Sequence, residues 1–546
     1  MTDPVIRIAL VDVLDEANAD DCENLGQASI AAVLRREGYA VELFSLSVRE
    51  ISDGAAEAVR AIAVSDIVGF SIYFNTADAT QALADRVKSI KPGVWTCAGG
   101  QLATSAAEEI LADCPAIDAC LLGEAEATML AVARAHLDRQ RVDEIPAVVT
   151  RSTGRAGKRI ARGSVDGEIW PVRDLYALSR RRGNPTARLN SSRGCVANCE
   201  FCSVNGFANL TRATGRSDAG PATGRWRGRD PDDVYAEISE LAESGIRSFV
   251  FNDASFEDAG HAGRSRVRRL CTLIAQGPVP LAFRCSMRAE NVAKHGDDLL
   301  PAMRQAGFTN IFIGVESGSD DDLRAFAKLA TVTQNQAALA KAAVHGIDVT
   351  IGFIMFQPFS TVASLKANFR MLHECRADKV SHFTSVADVY FGTPLHHRLH
   401  REGKLTSDFT YKNPLGYYFS VAEVGQLSAT LAPLRHHPSA KKIDGQLYHL
   451  GYTLSALRAL FADAAAPAQE SFFRIRDLLA AELADFFEPV FFDMRAPPAA
   501  RSNALLTSLS AASSDLSRLG ARLMVGSSFA PFFGRTRAPL LVGSRG

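Results

Sequence analysis

The sequence lacks a long apolar stretch, a signal peptide and a strong net charge. No stretch approaches the ~18 consecutive apolar residues of a membrane-spanning helix, and the N-terminus lacks the basic start and apolar run of a signal peptide. The 60 lysines and arginines nearly balance the 61 aspartates and glutamates, so the formal net charge is -1. Without a strong field of one sign, binding to an anionic membrane or to nucleic acid is not favoured. We therefore expect a cytoplasmic protein with no membrane partner and no nucleic-acid substrate.

Cysteine is also sparse, with 10 residues in 546, but three of them stand close together. Cys195, Cys199 and Cys202 form the pattern C-x-x-x-C-x-x-C within "SSRGCVANCEFCSVNGF". In a reducing cytoplasm, clustered thiols indicate metal or redox chemistry more often than disulfides. The other cysteines are scattered, and we interpret them as small buried hydrophobic residues.

A fourth ligand is missing from this group, and its absence is informative. A structural zinc site requires four ligands, usually as two pairs, and no second C-x-x-C or H-x-x-x-H pair lies nearby. Iron–sulfur clusters are held by cysteine thiolates, and three thiolates on a four-iron cluster leave one iron without a protein ligand. Because an open metal position can accept a substrate or cofactor, the spacing predicts a catalytic cluster.

The hydrophobic pattern divides the chain into four segments. Residues 1–140 alternate strand-like and helical stretches in five βα units, which predicts an α/β fold with a doubly wound parallel sheet. Residues 141–185 are polar and rich in Arg and Gly, as in a linker. Residues 186–400 contain six strands interleaved with helices, enough to close most of a barrel whose active face is at the carboxyl ends of the strands. Residues 401–546 form a helical C-terminal region.

Two further predictions concern the barrel segment. The sixth strand is predicted within "SHFTSVADVY", residues 381–390. The Gly-, Thr- and Arg-rich segment 208–229 interrupts the first unit. We expect either a mobile loop at the mouth of the barrel or an ordinary surface insertion there.

The cysteine loop "SSRGCVANCEFCS" resembles the cluster loop of the radical S-adenosylmethionine (SAM) superfamily. The resemblance implies a partial (β/α)6 barrel and a 4Fe-4S cluster on Cys195, Cys199 and Cys202, whose open iron chelates SAM. It also implies that one electron cleaves SAM to methionine and a 5′-deoxyadenosyl radical, which abstracts hydrogen. The electron would come from an external donor such as flavodoxin or ferredoxin. Phe201, directly before the third cysteine, is a further cofactor-binding candidate.

The same resemblance implies SAM contacts at the ends of the barrel strands. "FVFNDASFED" ends the second strand, where the family commonly has Gly-Gly-Glu against the methionine moiety. "FRCSMRAENV" ends the third, and "FIGVESGSD" ends the fourth with a likeness to a Gly-x-Glu-Ser element that holds the ribose or the amino acid. The candidates are Asn252, Asp253, Ser255, Ser286, Arg288, Glu316 and Ser317. A structural salt bridge is the alternative interpretation for Glu316 and Arg288.

A doubly wound domain before such a barrel resembles the cobalamin-binding subgroup of the superfamily. "GFSIYFNT", "AGGQLATS" and "LLGEAEATM" carry the likeness, and the candidate contacts are Ser71, Tyr73, Gly99, Gly100 and Glu124. The two glycines would let the backbone approach a flat corrin or its nucleotide tail. No D-x-H-x-x-G motif occurs and residues 1–135 contain no histidine, so no histidine of this domain can be the lower cobalt ligand. A Rossmann-like domain that has lost its ligand is the alternative.

These observations leave four hypotheses for function. The leading one is a cobalamin-dependent radical SAM methyltransferase that acts at an unactivated carbon of a natural product or peptide. The second is a radical SAM enzyme that catalyses a rearrangement, dehydration or cyclisation and keeps a vestigial cobalamin domain. The third is a tRNA methylthiotransferase, although the helical C-terminus does not match its expected RNA-binding barrel. The fourth is a structural or electron-carrying cluster protein, which would gain nothing from an open iron.

Overall fold

The computed structural model describes residues 6–16, 19, 21–155, 158, 165, 169–204, 226–257, 260–525, 529 and 532–533. Most of the predicted loop 208–229 lies outside them. Within them, no helix is both long and apolar enough to cross a bilayer. The cytoplasmic location stays a prediction.

The N-terminal part of the chain forms a six-stranded sheet flanked by helices. Its strands are β1 (Arg7–Leu14), β2 (Ala40–Ser47), β3 (Ile67–Ser71), β4 (Trp95–Gly99), β5 (Ala119–Leu121) and β6 (Val148–Thr150). Its helices are α1 (Leu25–Arg36), α2 (Val48–Ser52), α3 (Ala56–Ala63), α4 (Ala77–Ile90), α5 (Gln101–Ser105), α6 (Ala107–Asp113) and α7 (Glu126–Leu137).

The strand order is β2-β1-β3-β4-β5-β6. The first five strands are parallel, which confirms the predicted doubly wound sheet, and β6 adds antiparallel to β5 from within the predicted linker. Strand β1 shows why the sheet is buried on both faces. Its alternate residues enter two different hydrophobic cores, with Val11 and Val13 in one and Ile8 and Leu10 in the other.

The second part of the chain forms a five-stranded parallel sheet. A helix α8 (Asp174–Arg181) precedes it, and its strands are β7 (Thr186–Leu189), β10 (Ser248–Phe251), β11 (Ala282–Arg288), β12 (Phe308–Glu316) and β13 (Asp348–Phe353). A small antiparallel pair, β8 (Ser192–Arg193) and β9 (Arg227–Gly228), lies at the mouth of the sheet. The interleaved helices are α9 (Pro231–Glu243), α10 (His261–Ala275), α11 (Ala289–Gln305), α12 (Asp320–Ala325), α13 (Val332–Val344) and α14 (Val362–Glu374). The strand order β13-β12-β11-β10-β7 is that of a partial barrel.

The prediction of a sixth barrel strand in residues 381–390 was wrong. This segment begins with the helix α15 (Val380–Thr384) and then makes a single parallel β-bridge between Phe356 and Val386. The carboxylate of Asp444 accepts the backbone N–H groups of Val380 at 2.9 Å and Ser381 at 2.7 Å. This cap satisfies the free amides of a helix start, and it comes from a residue far along the chain.

The C-terminal region is helical, as predicted. Its helices are α16 (Pro394–Arg401), α17 (Ala422–Arg435), α18 (Pro438–Leu460), α19 (Ala462–Asp493) and α20 (Ala499–Val525). The buried side chains of α17, α18, α19 and α20 belong to the same hydrophobic core as the helices and outward faces of the second sheet, whereas Leu395 and Leu399 of α16 belong to a smaller separate cluster. Helix α18 contacts β11 and β12. The region therefore packs onto the partial barrel. The boundaries 140, 185 and 400 remain predictions.

Candidate active site

The three cysteines of the predicted cluster lie in a loop after β7 and β8, at the carboxyl end of the barrel strands. Cys199 is buried, and Cys195 and Cys202 are half-buried. Burial raises the pKa of the Cys199 thiol to about 12 and also raises the pKa of Cys195. Because iron binds thiolates, cluster assembly must displace these protons.

The three thiols of this loop fit an iron–sulfur cluster, which cysteine thiolates hold. Cys195 and Cys202 both contribute to the electrostatic environment of Cys199, so the three thiols are neighbours. In the part of the chain that the structure describes, no group of three or more His, Cys, Asp or Glu side chains is arranged to hold one metal ion. Ligands of a single ion must converge on one point, whereas the thiolates of a cluster bind separate irons.

The cluster loop is docked on the segment that follows α12 and on α16. Glu200 donates its backbone N–H to the carbonyl of Phe326 at 2.8 Å and accepts the N–H of Leu395 at 3.0 Å. The carboxylate of Glu200 also pairs with Arg398 at 3.3 Å. The ring of Phe201, a predicted cofactor contact, packs against Phe326 with 4.7 Å between centroids. Phe201 therefore contacts another part of the protein, and its ring helps to hold the cluster loop against Phe326.

Glu316, at the end of β12, is held by an ion pair. Its backbone φ of 64° is left-handed, which is strained for a residue with a side chain. A Cβ on Gly314 would lie 2.3 Å from its Oε1 and one on Gly352 3.5 Å from its Oε2, so the two glycines make room for the carboxylate. Lys328 Nζ donates to Oε1 at 3.3 Å. The salt-bridge interpretation of Glu316 therefore describes the structure, with a lysine as the partner.

Lys328 was not identified from the sequence, because "AFAKLAT" contains no spacing signal. Its side chain is buried beside the cluster loop, two residues after Phe326. Burial disfavours its charge, but Glu316 and then Cys199 keep the pKa of Lys328 above its ordinary value. The lysine therefore places a positive charge next to the predicted cluster.

The three candidates after β10 separate into two groups. Asp253 is buried and accepts the backbone N–H of Ser191 at 2.8 Å and its Oγ–H at 2.5 Å. Ser255 donates its Oγ–H to the carbonyl of Glu257 at 2.8 Å. Both side chains hold the strand ends together, whereas Asn252 lines the cavity between the two sheets.

The candidates after β11 and β12 also differ in access. Arg288 pairs with Glu290 at 3.1 Å and, through Nε, with Glu257 at 3.9 Å, so the salt-bridge interpretation also describes this residue. Its Nη2 is buried without a hydrogen-bond partner and is left for a ligand. Ser286 lines the lumen of the partial barrel. Ser317 is buried and donates to Asn368 at 2.7 Å, so the structure does not bring it to a cavity.

A cavity of about 470 Å³ lies between the two sheets. The carboxyl ends of β3, β4 and β5 form one wall, and the cluster loop with the end of β10 forms the other. All five predicted cobalamin contacts line it: Ser71, Tyr73, Gly99, Gly100 and Glu124. Gly100 has a left-handed φ of 101°, so its backbone conformation favours glycine. The cavity is the position where ligands bind on doubly wound sheets.

The loop before α1 contains residues that the sequence analysis missed. Asp21-Cys22-Glu23-Asn24-Leu25-Gly26 keeps the Asp and Gly of D-x-H-x-x-G and has Glu23 in place of the histidine. Glu23 is buried, pairs with Arg173 at 2.9 Å and accepts the N–H of Arg188 at 2.6 Å. Its carboxylate therefore joins the two parts of the chain.

Two neighbouring amides suit a ligand in this cavity. Asn24 donates to Tyr73 at 3.0 Å and Ser71 at 3.3 Å. Gln27 is buried and lines the cavity, but neither of its amide atoms has a hydrogen-bond partner. A corrin is fringed by amide groups that both donate and accept, so these residues fit cobalamin.

Glu124 connects this cavity to the cluster loop. Its carboxylate pairs with Arg193 at 3.0 Å and with Arg227. Arg193 also pairs with Glu126 at 2.6 Å. Arg193 stands two residues before Cys195, so an ion-pair network joins the first sheet to the cluster loop.

Comparison with known families agrees with this architecture. Residues 12–133 match the B12 binding domain, and residues 189–372 match the Radical SAM superfamily. The chain belongs to the radical SAM superfamily, among the members that also carry a B12-binding domain. The two domains imply a 4Fe-4S cluster, SAM and cobalamin as cofactors, which agrees with the sequence analysis.

Several curated relatives have names that state methylation, and two of them illustrate the extent of the similarity. Hopanoid C-3 methylase of Methylococcus capsulatus is 28% identical over 338 residues, which cover 61% of this chain and 61% of that protein. An uncharacterized methyltransferase of Pyrococcus horikoshii is 26% identical over 385 residues, which cover 68% of this chain and 77% of that protein. The chain thus spans less than two thirds of the hopanoid methylase.

A solved structure has the same fold over nearly the whole chain. The cobalamin-dependent S-adenosylmethionine radical enzyme OxsB, with aqua-cobalamin and S-adenosylmethionine bound, superposes with a TM-score of 0.66 at 17% identity. The superposition covers 97% of this chain and 83% of OxsB. The likeness includes the helical C-terminal region.

Proposed function

We propose that the protein is a cobalamin-dependent radical SAM methyltransferase that acts at an unactivated carbon of a small molecule, such as a natural product, or of a peptide. The observation that carries the proposal is the 470 Å³ cavity, because the B12-domain strand ends and the cluster loop line it together. A substrate in this space would meet both cofactors. The methylase and methyltransferase names of the two relatives support the reaction type.

The cofactors, when bound, supply a hydrogen-abstracting 5′-deoxyadenosyl radical and a transferable methyl group. Cys195, Cys199 and Cys202 would hold the cluster. Asn252 and the Nη2 donor of Arg288 would bind polar groups of SAM at the strand ends. We infer that an external donor such as a flavodoxin or ferredoxin supplies the electron.

Several residues of the chain would prepare this site without touching the substrate. Glu316 and Lys328 are both buried at the strand ends, and their mutual attraction offsets the free-energy cost of removing the two charges from water. The contacts of Glu200 and Phe201 with Phe326 would keep the cluster loop in one position. The Glu124–Arg193 pair would fix the distance between the cofactors.

A second candidate is a radical reaction without methylation. The anaerobic magnesium-protoporphyrin IX monomethyl ester cyclase of Rubrivivax gelatinosus is 24% identical over 375 residues, which cover 64% of this chain and 62% of that protein. The similarity to a protein named as a cyclase supports a ring-forming radical reaction as the second candidate.

Product analysis separates the two candidates. The protein would be purified without oxygen, loaded with iron, sulfide and cobalamin, and given SAM and a reductant. Methylation predicts both S-adenosylhomocysteine and 5′-deoxyadenosine, and a substrate mass gain of one methylene. Formation of 5′-deoxyadenosine alone, with no corrinoid bound, would reject methylation. The variant C199A should lose both products, and C271A, which removes a buried cysteine away from the loop, should keep them.

A further inference from the structure

The inner face of the partial barrel carries an unusual row of side chains. Arg188, Val250, Arg284, Asn310 and Asp348 stand in register across all five strands. In closed barrels such layers are filled mainly by bulky branched residues that form a core. Here the row is mostly polar, and a cavity of about 330 Å³ lies against it.

This lumen cavity adjoins the proposed active site. Asn252 lines both the lumen cavity and the cavity between the two sheets. On the open side of the barrel, Tyr448 and Tyr452 of α18 line the lumen. A ligand entering at the strand ends could therefore extend downward between the strands and α18.

The charged residues at the two ends of the row, Arg188 and Asp348, have hydrogen-bonding partners. Arg188 pairs with Asp21 and donates to Asn252 at 2.5 Å. Asp348, two strands away from Arg284, accepts the hydroxyl of Ser455 at 2.7 Å.

The guanidinium of Arg284 instead stacks on the ring of Tyr452, with 3.8 Å from Cζ to the centroid. Its Nε is buried without a hydrogen-bond partner, and over the described part of the chain no ion pair joins it to a carboxylate. An unpaired cation in a partly buried lumen is costly unless a ligand supplies the opposite charge.

We propose that the lumen binds an oxyanion of the substrate, a carboxylate or phosphate group, at Arg284 with the amide of Asn310 beside it. Arginine presents a planar fork that matches either oxyanion. Arg284 lies four residues before Arg288 on β11, about 13 Å at the ordinary strand rise. The inference rests on the proposed function, in which the reacting carbon lies at the strand ends. That carbon would then be on the order of 10 Å from the oxyanion.

Anion binding can be measured without turnover. The cluster- and cobalamin-loaded enzyme, without reductant, would be titrated calorimetrically with inorganic phosphate and with acetate. We expect saturable binding of at least one anion, weakened about tenfold or more in Arg284→Met. Tighter binding of phosphate indicates a phosphorylated substrate, and tighter binding of acetate indicates a carboxylic acid.

Two further variants distinguish a loss of anion binding from a loss of folding. Asn310→Asp is nearly isosteric and places a carboxylate next to Arg284, so it should also abolish anion binding while the spectra of both cofactors persist. Arg268→Met removes a surface arginine paired with Asp298 and should bind the anions as the wild type does. Absence of binding in the wild type, or equal binding in Arg284→Met, would overturn the inference. Anion binding without any methylated product would reject the proposed function alone.

Discussion

Glu124 of the first sheet and Arg193 of the cluster loop form an ion pair of 3.0 Å. Glu124 also lines the cavity between the two sheets, and Arg193 stands two residues before Cys195. Both side chains are largely buried, at 14% and 24% exposure, so solvent screens the pair less than a surface pair. This contact therefore links the position of the cobalamin domain to the position of the cluster.

Glu124→Gln should loosen the coupling between the two cofactors. It removes the charge that Arg193 and Arg227 share, so the cluster loop is held less firmly against the first sheet. We expect several-fold more 5′-deoxyadenosine per methylated product, measured by quantitative mass spectrometry. Glu144→Gln, at an exposed position paired with Arg141, is the matched control and should leave the ratio unchanged. An unchanged ratio in Glu124→Gln would show that the pair does not position the cofactors.

Lys328→Met should lower the reduction potential of the cluster. A nearby cation favours the more negative, reduced cluster, so its removal makes reduction harder. We expect a shift on the order of 60 mV, about tenfold in a one-electron equilibrium. Potentiometric titration followed by electron paramagnetic resonance measures it directly. Glu316→Gln should shift the potential in the opposite direction, and Lys341→Met, on the surface beside Asp297, should not shift it. Shifts of the same sign in both active-site variants would contradict this account.

Asp12→Asn should change how stability depends on pH. Burial raises the pKa of Asp12 to about 6, from an ordinary value of 3.8. The folded chain therefore keeps this proton while the unfolded chain releases it, so the wild type loses stability as pH rises from about 4 to about 6. The loss is about 3 kcal/mol at most.

Asp12→Asn carries no carboxylate charge at this buried position, so it should unfold at a higher temperature than the wild type at pH 7. The two should coincide near pH 3.8, the ordinary value. Thermal melts at several pH values test this. Asp53→Asn, at an exposed position, should follow the wild type at every pH.

Phe326→Ala should lower cluster content as well as stability. The ring is fully buried and packs against Phe201 of the cluster loop. We expect a loss of about 3–5 kcal/mol in unfolding free energy and a marked fall in iron per folded molecule. Phe383→Ala removes an equally buried ring that stacks on Phe487, away from the loop. It should cost similar stability but retain iron, and a parallel loss of iron in both variants would argue against a specific docking role.

The features predicted correctly from the sequence depend on local spacing. The five βα units of the first sheet follow from period and composition. Cys195, Cys199 and Cys202 are close in the chain, so their spacing alone indicated a common ligand.

The errors and omissions arise from contacts between distant residues. The 381–390 segment looked like a strand because of its Phe, Thr and Val residues, but Asp444 caps a helix there. Ser317 matched a family element, yet Asn368 occupies its hydroxyl. Lys328 carried no local signal, the D-x-E-x-x-G spacing around Glu23 was overlooked, and the partners of both residues lie on other elements.

The sequence by itself determined the kind of cofactor chemistry and the order of the domains, since both are written in short motifs and in hydrophobic periods. Only the tertiary structure decided which charges are paired, which cavities connect the two sheets, and that Arg284 faces a lumen without a carboxylate partner among the described residues. The physical reason is that ligand spacing and strand period act over a few residues. Ion pairs and cavities form between side chains that are brought together only when the chain has folded.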